Sequence, residues 1–192
     1  LTAAEDALRS AEEGAATVPT EHRAHYLVGL AVLTLFSAQK RGDIAGALGA
    51  ARSLLAPAGG VPVAVPGSAL RALALTHLGV VELWVGRFDA AVQHLEGGLA
   101  AALEARHDYL TALALSHLSI VLAIAPPAGR GLERAQEALE LLERRGWTHT
   151  PAAAAAYLVL GSVQYHENDL EAATATLALA EGAATNADPP LR

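Results

Sequence analysis

The chain has no cysteine and no methionine, and aromatic residues make up only 4% of it. Without cysteine there is no disulfide framework, no thiol nucleophile and no thiolate zinc site. So few aromatics argue against a core built on large rings. No uncharged apolar run reaches the ~18 residues that a membrane-spanning helix needs, and Leu1 does not open a recognisable signal peptide. The expected setting is the cytoplasm. Basic residues are also scarce: 13 Lys and Arg stand against 20 Asp and Glu, for a formal charge of −7. Clamping nucleic acid requires clustered cations, so this balance argues against direct contact with DNA or RNA.

What remains is hydrophobic, at 53% of the residues, and much of it is alanine and leucine, which favour helix. The clearest segment runs from Ala72 to Leu103. Leu75, Leu78, Gly79 and Glu82 recur at i, i+3, i+4 and i+7, one face of a helix. Gly86 ends that helix, and Phe88, Ala91, Leu95 and Gly98 form one face of a second. Small residues among large ones let two antiparallel helices approach closely. Ala101 falls on the expected outer face.

The same order recurs along the chain. The small residue early in each second helix falls at Ala4, Ala47, Ala91, Ala135 and Ala173, spaced by 43, 44, 44 and 38 residues. Such a period signals a solenoid of helical hairpins, with an irregular bundle as the alternative. Half a repeat is expected at 1–16 and full repeats at 22–56, 68–103, 109–145 and 151–184, all in one domain. The fold class is therefore all-α, with no sheet. Proline-rich breaks stand at 56–67, 126–129 and 188–190. Thr20, Ser68 and Thr150 are expected helix caps, the last followed by Pro151 at the first helical position. Because the chain opens in mid-hairpin, it reads as a piece of a longer array, its end faces at Leu1–Leu8 and Leu177–Ala184 open to self-association.

The order Leu-Gly, then Gly-x-Phe-x-x-Ala-x-x-x-Leu-x-x-Gly/Ala, resembles the tetratricopeptide repeat (TPR). The stretched period, with Gly-Arg-Phe-Asp-Ala-Ala (86–91), Asn-Asp-Leu-Glu-Ala-Ala (168–173) and Arg-Arg-Gly-Trp-Thr-His-Thr-Pro (144–151), is similar to the sensor region of MalT-like, LuxR-type ATP-dependent bacterial transcription regulators. That resemblance implies a right-handed superhelix that senses an effector and self-associates. In such regulators a nucleotide-binding module precedes the array and a helix-turn-helix follows it. Neither motif stands here: there is no G-x-x-x-x-G-K-[ST] loop and no basic recognition helix. No cofactor is expected in this segment, although the parent protein would bind ATP.

Projected at 100° per residue, the first helices direct a second face into a groove. Phe36, Gln39 and Lys40 lie there, with Val32; then Leu73, Thr76, Val80, Leu83 and Trp84; then Leu113, Ser116 and Ile120, with Ile124; then Leu158, Ser162, Tyr165 and His166. So apolar a surface suits a small organic effector or an apolar peptide or protein segment, unless superhelical winding or a further segment covers it. His77 and His117 hold the same place in consecutive repeats, as polar contacts or as locally bonded repeat residues. His22 and His25, one turn apart, lack a third ligand and read as a solvated helix start. Ser116-His117 lacks the glycine turn of a nucleophile elbow, so no catalytic role is expected. Two functions fit: the sensing and interaction domain of a LuxR-type regulator, or a TPR adaptor with no transcriptional role.

Overall fold

The computed structural model describes residues 2–55, 68–124 and 130–185. Leu1, the breaks at 56–67 and 126–129, the one at 188–190 and the side chain of His25 lie outside the described residues. The helices are α1 (Thr2–Gly14), α2 (Thr20–Arg41), α3 (Ile44–Leu55), α4 (Ser68–Trp84), α5 (Phe88–Glu104), α6 (Asp108–Ile124), α7 (Arg130–Arg145), α8 (Pro151–His166) and α9 (Leu170–Thr185). A 3-10 turn, Ala15–Thr17, follows α1. Among the described residues there is no strand.

The hairpins owe their shape to one turn used repeatedly. Gly42, Gly86, Arg106, Gly146 and Asn168 all take left-handed backbone, with φ between 52° and 74°. In each case the next N–H returns to the carbonyl five residues back, from Asp43 to Ala38, Arg87 to Glu82, His107 to Ala102, Trp147 to Leu142 and Asp169 to Gln164, at 2.8–3.0 Å. This bond satisfies a carbonyl that the helix end would otherwise orphan. Asp43 and Asp169 then start the following helix, their Oδ1 atoms accepting from the N–H groups of Gly46 and Ala172. Asn168 thus performs the job of Gly86, as the match between 168–173 and 86–91 implies.

Within each hairpin the helices cross on small residues. Gly79 lies against Ala91 and Leu95, Gly98 against Thr76, and Gly161 against Leu177. In the third hairpin Ser119 replaces that first-helix glycine, and the missing hole appears on the partner helix as Gly131, which meets the backbone of Ser119 and Ala123. Ala47 and Ala91 are buried between helices, as their register requires.

The hairpins stack in chain order. Each second helix packs on the next first helix (α3 on α4, α5 on α6, α7 on α8), and first helices touch one another, α4 with α6 and α6 with α8. Among the described residues no two second helices share a comparable contact. A layer that touches on one side and splays on the other curves toward the touching side, so α2, α4, α6 and α8 line the inner face. This is a TPR-like solenoid of antiparallel helical hairpins, its core distributed as successive clusters between neighbours.

The packing corrects several local expectations. Ala101 is not an outer residue: it is 5% exposed, in a cluster with Ala72, Ala102 and Leu110. A second helix touches both its own first helix and the next one, so its buried arc is wider than a single-face projection allows. Thr20 and Ser68 are the first residues of their helices rather than caps. Pro151 does start α8, but the Thr150 hydroxyl donates to the Trp147 carbonyl at 2.7 Å instead of capping α8.

Candidate functional site: the inner face of the first helices

Every hairpin reverses the chain, so α2, α4, α6 and α8 run in the same direction. Their C-terminal ends carry Lys40, Trp84, Ile124 and His166, which therefore share one rim of the inner face. Trp84 is 55% exposed and Tyr165 61%, and Phe36, Ile124 and Leu158 are exposed as well. Lys40, Ser162 and His166 also face solvent. Trp84 is not wedged inside its own hairpin. Large apolar side chains left in water along one layer are the expected mark of a binding surface.

The projection was wrong at three points. Thr76 and Ser116 are 0% exposed and Val80 only 3%, so none of them can touch a partner. Thr76 faces α5, where its atoms fill the space above Gly98. Val80 is locked into a cluster with Leu118, Val121 and Leu122 of α6. Ser116 is enclosed among the helices that pack on α6. The physical reason is the tight stacking of first helices, which turns part of the expected groove into core. Leu73, Leu83, Leu113 and Ile120 are half-buried and pack against core clusters, so they support the face more than they form it. Val32 and Gln39 are half-buried too.

His77 and His117 are half-buried, with Nδ1 enclosed and unpartnered in both. The His77 ring meets Phe36 edge-on, with centroids 4.9 Å apart and planes at 82°. Burial pushes His77 down from 6.5 to about 4. His117 is lowered to about 4 by burial first, and then by the neighbouring His77. Both imidazoles are therefore neutral at neutral pH. They belong to a wider pattern: among the described residues the enclosed side-chain atoms without a partner are on Gln39, Thr76, His77, Ser116, His117 and Gln164, all on first helices.

Charge is distributed in the opposite sense. Of the chain's 20 carboxylates, only Glu21, Glu82 and Asp108 belong to these four helices. Glu82 is buried, its Oε2 2.5 Å from Nδ1 of His94 on α5, and Asp108 pairs with Arg145 of α7. The inner face thus presents almost no free acid. Sequence reasoning missed the Glu82–His94 link, although its signal was legible: an acid within the Leu75, Leu78, Gly79 stripe must be buried and needs a partner. It also missed Leu33, exposed on α2.

His22 is exposed, 3.5 Å from Glu21 Oε1. Among the described residues no group of three or more His, Cys, Asp or Glu side chains is placed to hold a metal, and no described helix is long and apolar enough to cross a membrane.

No family model and no curated protein matches this sequence. Its fold is similar to the crystal structure of BtubC (BKLC) from P. vanneervenii, with a TM-score of 0.65 and 21% identity over the whole of this chain and 74% of that one. At that identity the likeness concerns the fold alone.

Proposed function

We propose that this chain is a helical-repeat interaction module whose inner face holds an extended apolar segment of a partner protein. The observation that carries this reading is the row of exposed apolar side chains, Phe36, Trp84, Ile124, Leu158 and Tyr165, on the layer that is nearly free of carboxylates. The row crosses four helices, which suits a long occupant better than a compact effector. The resemblance in sequence supports a setting as the sensor region of a LuxR-type regulator. A phosphate-binding loop upstream and a helix-turn-helix downstream in the parent reading frame are the expected accompaniment.

The test is selection from a displayed library of random peptides at neutral pH. Enriched peptides should be apolar and should perturb Trp84 fluorescence. Trp84→Ala should weaken them by about 1–3 kcal/mol, the scale of a lost aromatic contact. Enriched peptides that bind Trp84→Ala and Phe36→Ala as well as the parent would end this reading.

A separate observation favours self-association. The outer side of α7 carries Glu133, Glu137, Glu140 and Arg144, whereas α9 has only Glu171 and Glu181 as charges and leaves Leu170, Leu177 and Leu179 exposed. Large apolar side chains exposed together on one outer helix are the expected mark of an interface. Sedimentation should show concentration-dependent association that Leu179→Glu removes. A monomer at all concentrations would rule out this second role.

A further inference from the structure

The inner face contains a feature that peptide binding does not use. His77 on α4 and His117 on α6 occupy the same place in consecutive repeats and lie close enough to act on each other electrostatically. Each has one ring nitrogen sealed from water without a partner. Phe36, part of the apolar row, rests edge-on against His77. The contact between α2 and the next first helix therefore runs through one of the two imidazoles.

Among the described residues, the surroundings contain nothing to neutralise a proton. On α2 the charged groups near this end are Lys40 and Arg41, both cations. On α4 itself Arg71 is exposed, and Glu82 is committed to His94 of α5. The one charge on α3 is Arg52, which is exposed. The acids of α5 (Asp89, Glu96, Glu104) and of α7 (Glu133, Glu137, Glu140, Glu143) are all exposed, with Glu96, Glu137 and Glu140 paired with Arg130, Arg134 and Arg144. On α6 Asp108 pairs with Arg145, and α8 contributes only Tyr157, Tyr165 and His166. Among the described residues no carboxylate acts on either ring. A buried cation without a partner must reach water. The rings are half-buried beside the inner face, so separating the first helices there is a shorter route to water than unfolding a hairpin.

We propose that the His77–His117 pair is a proton-operated switch on the inner face: protonation parts α4 from α2 and α6 on that side and unseats Phe36 from the binding row. This rests on the reading of the inner face as the binding surface and adds its regulation. The device needs two elements with two arrangements and a charge that favours one of them, which the stacked first helices and the histidine pair supply.

The experiment uses the full chain without ligand, so its failure is distinguishable from failure of peptide binding, which is measured at neutral pH. The histidine ring carbons are followed by NMR as pH is lowered, together with the Phe36–His77 contact and far-UV circular dichroism. Both rings should stay neutral well below 6.5, and their protonation should coincide with loss of the Phe36 contact while the helical signal persists. In the doubly substituted His77→Gln, His117→Gln protein, the Phe36 environment should not respond to the same acidification. If that protein does not fold, His77→Gln alone should shift the transition of His117 upward, because the neighbour that lowers it is gone. Protonation near 6.5 with the Phe36 contact intact would overturn the proposal. So would melting of all helices in the same step, or an unchanged Phe36 transition in the folded glutamine variant.

Discussion

Gly131→Ala, the addition of one methyl group, should cost about 2–4 kcal/mol, against the ~1–3 kcal/mol usual for overpacking. A Cβ at that position would stand 2.6 Å from the Ala123 nitrogen, 2.7 Å from the Ser119 oxygen and 2.8 Å from the Ala123 Cα. All three atoms are backbone, so no rotamer change relieves the contact and α7 must move away from α6. That movement loosens the packing of Ala135, Ala138, Leu139 and Leu142, which join the cluster shared with α8 and α9. The same substitution at Gly49 meets nothing within 4 Å and should instead stabilise by about 0.5–1 kcal/mol, because alanine is the better helix former. Urea unfolding of the two variants checks both signs. Similar effects at the two sites would mean that the α6–α7 crossing is looser than described.

Acid should destabilise the chain steeply through the same two imidazoles. His77 and His117 are lowered from 6.5 to about 4 in the folded chain, so between those values the unfolded state binds more protons than the native one. The stability this provides is fully present above 6.5 and is lost as pH falls toward 4. At pH 5 the loss is about 2 kcal/mol per ring, or about 4 in all, a large part of the ~5–15 kcal/mol typical of a folded domain. This is an upper value, because opening of the inner face alone would let water reach the rings and cap the loss. Chemical denaturation at stepped pH measures the slope. Replacing both histidines by glutamine should flatten it in this window, and an unchanged slope would assign the acid sensitivity to other groups.

Sequence alone determined the repeat, because two constraints on it are local. A left-handed residue must end the helix at each tight turn, and a small residue must sit where two helices cross. Gly42, Gly86, Gly146 and Asn168 satisfy the first, and Gly79, Gly98 and Gly161 the second, so element order and hairpin register were legible without coordinates. Even the Ser119–Gly131 exchange follows that rule, although only the structure shows it, since the complement lies on another helix. Arg106 was hidden for a similar reason: it takes the left-handed turn, at φ 52°, with a residue that does not announce it.

The inner face was legible only in part. Projection at one angle per residue places side chains around a helix but carries no information on how closely the next hairpin approaches. Phe36, Trp84, Leu158 and Tyr165 stayed in solvent, whereas Thr76, Val80 and Ser116 disappeared into contacts with α5, α6 and the helices stacked on α6. Ala101 was lost in the same way, to α6. Stacking distance is a property of surfaces remote in sequence, set by alanines and glycines of two repeats at once. It decided which half of the face is open, and it brought His77 against Phe36 and near His117 from three different helices.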